Sequence, residues 1–497
     1  MINMKKMRGI CLITAAVMIA GSLAGCGGST GQTTAAAPAA SETAAAAASE
    51  TPAGETPTAT PEAEAPAGDD ALKQYAGTTL YMIAEQQSPN ESLKRQLGKF
   101  EELTGIKVEL EMAPYDDVIQ KEILAFESHS GAYDIVAAPY QFLGNMVENE
   151  YIQSIEPFMQ DESLQIIPGY DPADIIEGMW KASGEWKGQL YGVPSNSCIM
   201  FFAYRKDLIE NEEEKAAFKE KYGYDLEVPK DWDTYRDVAE FFTRKKGEKL
   251  AGEELQNDFF GVSMSGKRHG ATSCEWMNYM WSFGGGIFDD EGYIAVNNEA
   301  SVKSLEYYKG LVEFAPPGVT SKTWDEQTTE MQQGISAMAI IFNDCTPAIE
   351  DETESKVAGK MGYTKVPVGV KDADHYGAWG FYIPADSQNP EAAYLFMEWF
   401  NTPEVQKAIS LDGGFPNLTS VYEDPDLETL PYWSGSKEAY EISTTRPRIP
   451  QWDEMDEVLR LQLSNCLAGQ VSPQEALDTT AAEYEKILEG KLPVDYQ

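Results

Sequence analysis

The chain has 497 residues, of which 42% are hydrophobic and 11% aromatic, and its formal net charge is −43. That acidity excludes nucleic-acid binding, because phosphate contacts need clustered Lys and Arg, and it argues against docking on anionic lipid through a basic patch. What remains is an acidic globular protein whose anchorage and function must be read from its segments.

The first segment carries Lys5, Lys6 and Arg8 and then the apolar run "ICLITAAVMIA". Eleven residues are too few to span about 30 Å of hydrocarbon, so they read as the core of an export leader at 1–25. The leader ends in "LAGC", which resembles the bacterial lipobox. That resemblance implies acylation of the Cys26 thiol and retention on the membrane through lipid. Residues 27–70 are almost all Ala, Thr, Ser, Pro, Glu and Gly, without one Lys, Arg, aromatic or branched aliphatic residue. They cannot offset their ordering entropy and read as a flexible tether over 26–70. Such a coil has an end-to-end distance of roughly 35–40 Å.

Residues 71–497 are long enough for two or three domains. "TTLYMIAEQ" (78–86) reads as a buried strand, and 88–105 as a helix with Leu93, Leu97, Phe100 and Leu103 on one face and Gly105 as its stop. "IKVELEM" alternates as a second strand, "DDVIQKEILAFESHSG" reads as a helix, and "YDIVAAP" (133–139) as a third strand. Strands alternating with helices in so short a span predict right-handed crossovers and parallel pairing. Ligands of such sheets bind beyond the strands' carboxyl ends, here Glu85, Gln86, Gln87, Tyr140 and Gln141.

Cys198, Cys274, Cys345 and Cys466 contain no C-x-x-C pair and read as mostly free, buried thiols, although four cysteines permit three disulfide pairings. His129, His269 and His375 stand at no zinc-ligand spacing, and no Walker A, H-E-x-x-H or G-x-S-x-G motif occurs. "DADHYGAWGFYI" (372–383) starts like a calcium loop, yet Ile383 occupies the place of the bidentate Glu. No metal, cofactor or catalytic residue is expected.

Five further pieces occur in a definite order: "YDIV" (133–136), "YGVPSNSCIMFFAYRKDL" (191–208), "GGGIFDDEG" (284–292), "QGISAM" (333–338) and "IPADSQNPEAAYLFMEWFNTPEVQ" (383–406). Together they resemble the bacterial extracellular solute-binding proteins of family 1, the sugar-binding subunits of ABC importers. The resemblance implies an α/β fold of two lobes, of the type II periplasmic-binding-protein kind, each lobe a mainly parallel sheet flanked by helices. It implies lobes at 77–194 plus 335–378 and at 199–334 plus 380–497, with a ligand cleft between them. It also implies a monomeric lipoprotein outside the cytoplasm that captures a carbohydrate and delivers it to ABC permease subunits.

Within the cleft regions of that resemblance stand Tyr140, Gln141, Asn196, Glu275 and Trp276, followed by Asn343, Asp344, Trp379 and Arg446; Trp281 and Trp452 are further aromatics there. Aromatic rings suit the C–H faces of a sugar, while Asn, Gln, Asp, Glu and Arg suit its hydroxyls. Five residues on a helix turn through about 500°, so Trp276 and Trp281 point apart; the expectation gives Trp276 to the cleft and Trp281 to the core. Two positions depart from the family: Asn417 where an Arg is common, and Cys198 where a carboxylate or amide is common. A surface glycoside hydrolase and a binding protein for a non-sugar solute such as a peptide are the alternatives.

Overall fold

The computed structural model of the protein describes residues 69–495. The leader, Cys26 and most of the tether lie outside that range. Asp69 and Asp70, counted with the tether from sequence, instead open a short helix, Asp69–Leu72.

Nine strands form one sheet among the described residues: β1 (Thr79–Glu85), β2 (Lys107–Ala113), β3 (Ile135–Pro139), β4 (Gly192–Arg205), β5 (Phe260–Ser263), β6 (Ser336–Phe342), β7 (Met361–Thr364), β8 (Asp374–Tyr382) and β9 (Ser443–Thr444). Their order is β2-β1-β3-β8-β4-β6-β5, with β7 also on β4 and β9 on β8. β1 pairs in parallel with β2 and β3, as the alternating strands and helices predict, and β6 pairs in parallel with β5. Antiparallel strands join these two parallel runs. The first half of β4, through Ile199, pairs with β8, and its second half, from Met200, pairs with β6 and β7. One continuous strand thus belongs to both halves of the molecule.

Helices cover the faces: α1 (Ser88–Thr104), α2 (Tyr115–Ser128), α3 (Trp232–Phe242), α4 (Gly270–Ser282), α5 (Trp324–Gln332), α6 (Pro390–Phe400) and α7 (Trp452–Leu467) are the ones that matter here. α1 has Pro89 in its first turn, where no N–H is needed, and ends at Gly105 with φ 71°, a left-handed cap that favours glycine.

The lobe division read from sequence differs from the packing. β6, assigned with 335–378 to the first lobe, lies between β4 and β5, beside Phe260–Ser263. α6, assigned with 380–497 to the second, buries its aromatic face on the first: Phe396 and Trp399 meet Phe100 at centroid distances of 5.4 and 5.2 Å. Phe400 meets Phe381 at 4.7 Å, and Arg95 pairs with Asp412 at 2.6 Å. The apolar stripe of α6 identified a buried helix but carried no information about which half would bury it.

Candidate functional site

A cavity of about 340 Å³ opens where β1, β2, β3 and β6 end. Its wall takes Glu85, Gln86, Gln87 and Ser88 from the end of β1, Tyr115 from just after β2 and Pro139 from β3. From the other half come Phe342, Asp344 and Cys345 after β6, Gly270 and Cys274 of α4, and Trp324, Asp325, Thr328 and Gln332 of α5. Cys198 of β4, Trp379 of β8 and Arg446 close it. Both halves thus supply strand ends, the geometry the strand-end rule anticipates.

The wall has an aromatic side. Tyr115 meets Trp324 at 5.4 Å and Trp379 at 5.8 Å, both edge-on, and His269 backs Trp324 at 4.7 Å. Trp379 sits where β8 slips register against β4, between Trp379 and Gly380, and such a bulge re-aims the side chain beside it. Trp324 begins α5 behind a capping box: Thr323 N–H donates to Glu326 Oε2 at 2.8 Å, and the Thr323 hydroxyl accepts from the first turn. Neither Tyr115 nor Trp324 was singled out from sequence. Both carried a readable sign, Tyr115 as the residue after the proline that follows a strand and Trp324 as the residue after the Thr of a T-x-x-E capping box.

The wall also carries acidic groups. Burial raises the Glu85 carboxyl well above the usual carboxylate range, and Asp344, Asp325 and Asp116 raise it further. Burial also pushes Asp344 up to about 6, against a hydrogen bond from Asn196 Nδ2 at 3.2 Å. The Cys198 and Cys274 thiols are lifted by burial too, Cys274 to about 11, so they line the cavity as neutral, weakly polar groups. All four described cysteines are free; Cys345 is partly exposed and the others buried.

Of the residues chosen from sequence, Glu85, Gln86, Gln87, Asp344, Trp379 and Arg446 line the cavity. The other six do not, and most stand one layer behind it. Tyr140 accepts the Arg446 backbone N–H at 2.6 Å and lies 5.4 Å beneath its guanidinium. Gln141 donates to Tyr115 Oη at 3.4 Å, and Asn196 holds Asp344. Asn343 accepts the Ile199 N–H at 2.9 Å, fastening β4 at its midpoint. Glu275 and Trp276 are a correction. Glu275 turns inward, accepting from Ser265 N–H at 2.8 Å and Gln327 at 3.0 Å, and Trp276 is fully buried.

The reason lies in helical phase. Gly270 and Cys274 face the cavity, and seven residues beyond Cys274, two turns on, is Trp281 rather than Trp276. Trp281 stacks on His375 at 5.6 Å and reaches a neighbouring cavity of about 450 Å³ that shares Arg446. The right deduction, that the two rings point apart, was joined to the wrong face. Trp452 is buried, and Asn417, the departure from the family pattern, pins β4 instead by donating to Pro194 O at 2.9 Å and accepting from Ser197 Oγ at 3.1 Å.

Comparison with known proteins agrees with this architecture. A solute-binding protein of an ABC transporter from Agrobacterium radiobacter K84, solved in complex with ribitol, superposes with a TM-score of 0.72 and 28% identity, over 83% of this chain and 99% of that one. One from Thermotoga lettingae TMO, bound with α-D-tagatose, gives 0.70 and 25% over 83% and 100%. A probable amino-acid ABC transporter periplasmic-binding protein of Sinorhizobium fredii is 26% identical over 362 residues, 71% of this chain and 76% of its own length. The fold is therefore the two-lobed α/β fold of type II periplasmic binding proteins, with its cleft between the lobes. The profile of the family described as bacterial extracellular solute-binding protein matches residues 31–407, and the chain belongs to that family.

Proposed function

We propose that this protein captures a small polyhydroxyl solute, a sugar or a polyol, outside the cytoplasm and delivers it to the permease of an ABC importer. The carrying observation is the cavity itself, whose wall combines three aromatic rings from three elements with Glu85, Asp344 and glutamines. A sugar or polyol offers C–H faces to rings and hydroxyls to groups that both donate and accept. At about 340 Å³ the site lies near the lower end of the 300–1,000 Å³ usual for small-molecule sites, which suits one sugar unit or a short polyol. The family, and the relatives solved with ribitol and tagatose, support the same class.

A thermal-shift panel of alditols, monosaccharides, disaccharides and peptides tests this directly. A ligand at a hundred times its Kd adds about 2.7 kcal/mol to stability. Stabilisation by a sugar or polyol is the expected result, and stabilisation by peptides alone replaces the reading. Release of sugar from glycosides would instead identify a hydrolase.

Trp324 gives the binding test within the site. It is only half-buried and starts its helix, so Trp324→Ala should leave the apo melting temperature nearly unchanged. Ligand affinity should fall by about 2 kcal/mol, roughly thirtyfold, as for truncation of a central aromatic contact. Titration calorimetry reads the affinity; unchanged binding would remove the aromatic side from the site.

The sequence of the leader and the lipobox at Cys26 support a lipid-anchored protein. No helix among the described residues is long and apolar enough to cross a membrane. Cys26→Ala should therefore shift the protein from the membrane fraction to the soluble one, and a variant still held by membranes would refute the anchor.

A further inference from the structure

Arg446 differs from the other buried cations of this chain. Arg244 pairs with Glu214, Lys322 with Glu330 at 2.5 Å, and Arg460 with Glu457 at 3.0 Å and Asp456 at 3.6 Å. Arg448 is held by the backbone carbonyls of Lys181 and Glu185. Arg446 is only 5% exposed, yet among the described residues no carboxylate lies within 4.0 Å of it; its Nε, like those of Arg448 and Arg460, is buried without a hydrogen-bond acceptor. Its guanidinium rests over the Tyr140 ring and forms part of the cavity wall, of which it is the one cation.

Leaving a charge desolvated and unpaired is costly, and chains that keep such a charge give it a counter-charge. Here the described residues supply none within 4.0 Å: Asp456, whose charge reaches Arg446, is engaged by Arg460 at 3.6 Å, and Glu85, Asp325 and Asp344 of the same cavity make no ion pair with it. Burial favours the neutral form of Glu85, whereas Asp344, pushed up only to about 6, is mostly ionised at pH 7 and accepts from the Asn196 amide. The planar guanidinium fork matches a carboxylate in two-point geometry better than it matches single hydroxyls.

We propose that the captured solute is an anionic carbohydrate, a sugar acid whose carboxylate docks on Arg446 while its hydroxyls meet Glu85, Asp344 and Gln87. This rests on the carbohydrate reading above and narrows it.

Matched pairs that differ only in one terminal carbon test it. Aldonates are titrated against the alditols of the same stereochemistry, ribonate against ribitol and gluconate against glucitol among them, and uronates against their aldoses. The best acid should bind about ten- to hundredfold more tightly than its neutral partner, the range of one charge-assisted contact. Arg446→Gln should cost the acid about ten- to hundredfold more affinity than it costs the neutral partner, so that the preference disappears. The wild-type comparison stands even where the variant does not fold. Neutral members binding as tightly as their acids, or no acid binding at all, would overturn the proposal while leaving the capture of neutral carbohydrate standing. Binding of peptides with no carbohydrate bound would remove both.

Discussion

Trp276→Ala should lower the stability of the ligand-free protein by about 3–5 kcal/mol, the usual cost of emptying a large core site, and leave the affinity of the folded protein intact. The ring is fully buried and stands on the side of α4 turned away from Gly270 and Cys274, the residues of that helix that touch the cavity. Denaturant titration of the apo protein, together with calorimetric binding below the transition, separates the two effects. A variant of normal stability and lost affinity would return Trp276 to the cleft.

Gly261→Ala should be nearly as damaging. Gly261 lies in β5, and a Cβ placed there would stand 1.9 Å from the carbonyl oxygen of Ala239 and 2.4 Å from its carbon. That obstacle is backbone of α3, not the free end of a side chain, so the helix must move as a body. Overpacking of this kind costs about 3 kcal/mol. A loss under about 1 kcal/mol in thermal unfolding would mean that α3 slides aside easily, since overpacking usually costs 1–3 kcal/mol.

Both cases mark the boundary of what sequence conveys. β1, β2, β3, α1 and α2 fall within one to three residues of their expected places because each has a local cause: a period of two, a stripe at helical spacing, a proline at the start or a glycine at the stop. The cavity's position follows from the same local reading, since Glu85, Gln86 and Gln87 needed only the end of β1 to be placed on its wall. Partnership across long separations had no such cause. Nothing in "SAMAII" tells whether that strand joins β5 or the first parallel run, and nothing in the aromatics of α6 names Phe100 as their partner. Tyr140, Gln141 and Asn196 were chosen for chemistry suited to a ligand, and that chemistry instead grips Arg446, Tyr115 and Asp344. A hydrogen-bonding side chain beside a cleft reads the same whether it meets a solute or the residue that does.

The pairing of β8 sets an order on the birth of the molecule. Pro139 at the end of β3 bonds across to Trp379, and Ile199 in β4 to Tyr376, so both earlier strands wait for the same late one. Chains are made from the amino end at about 5–20 residues per second, so the edge of β3 stays bare for on the order of ten to fifty seconds. Until Asp374–Tyr382 emerges, the first parallel run has a free side and β4 has no neighbour for its first half. Connectivity thereby keeps the sheet incomplete at its centre until the chain has been made through Tyr382. That late strand at the centre of the sheet is the latch on that interval.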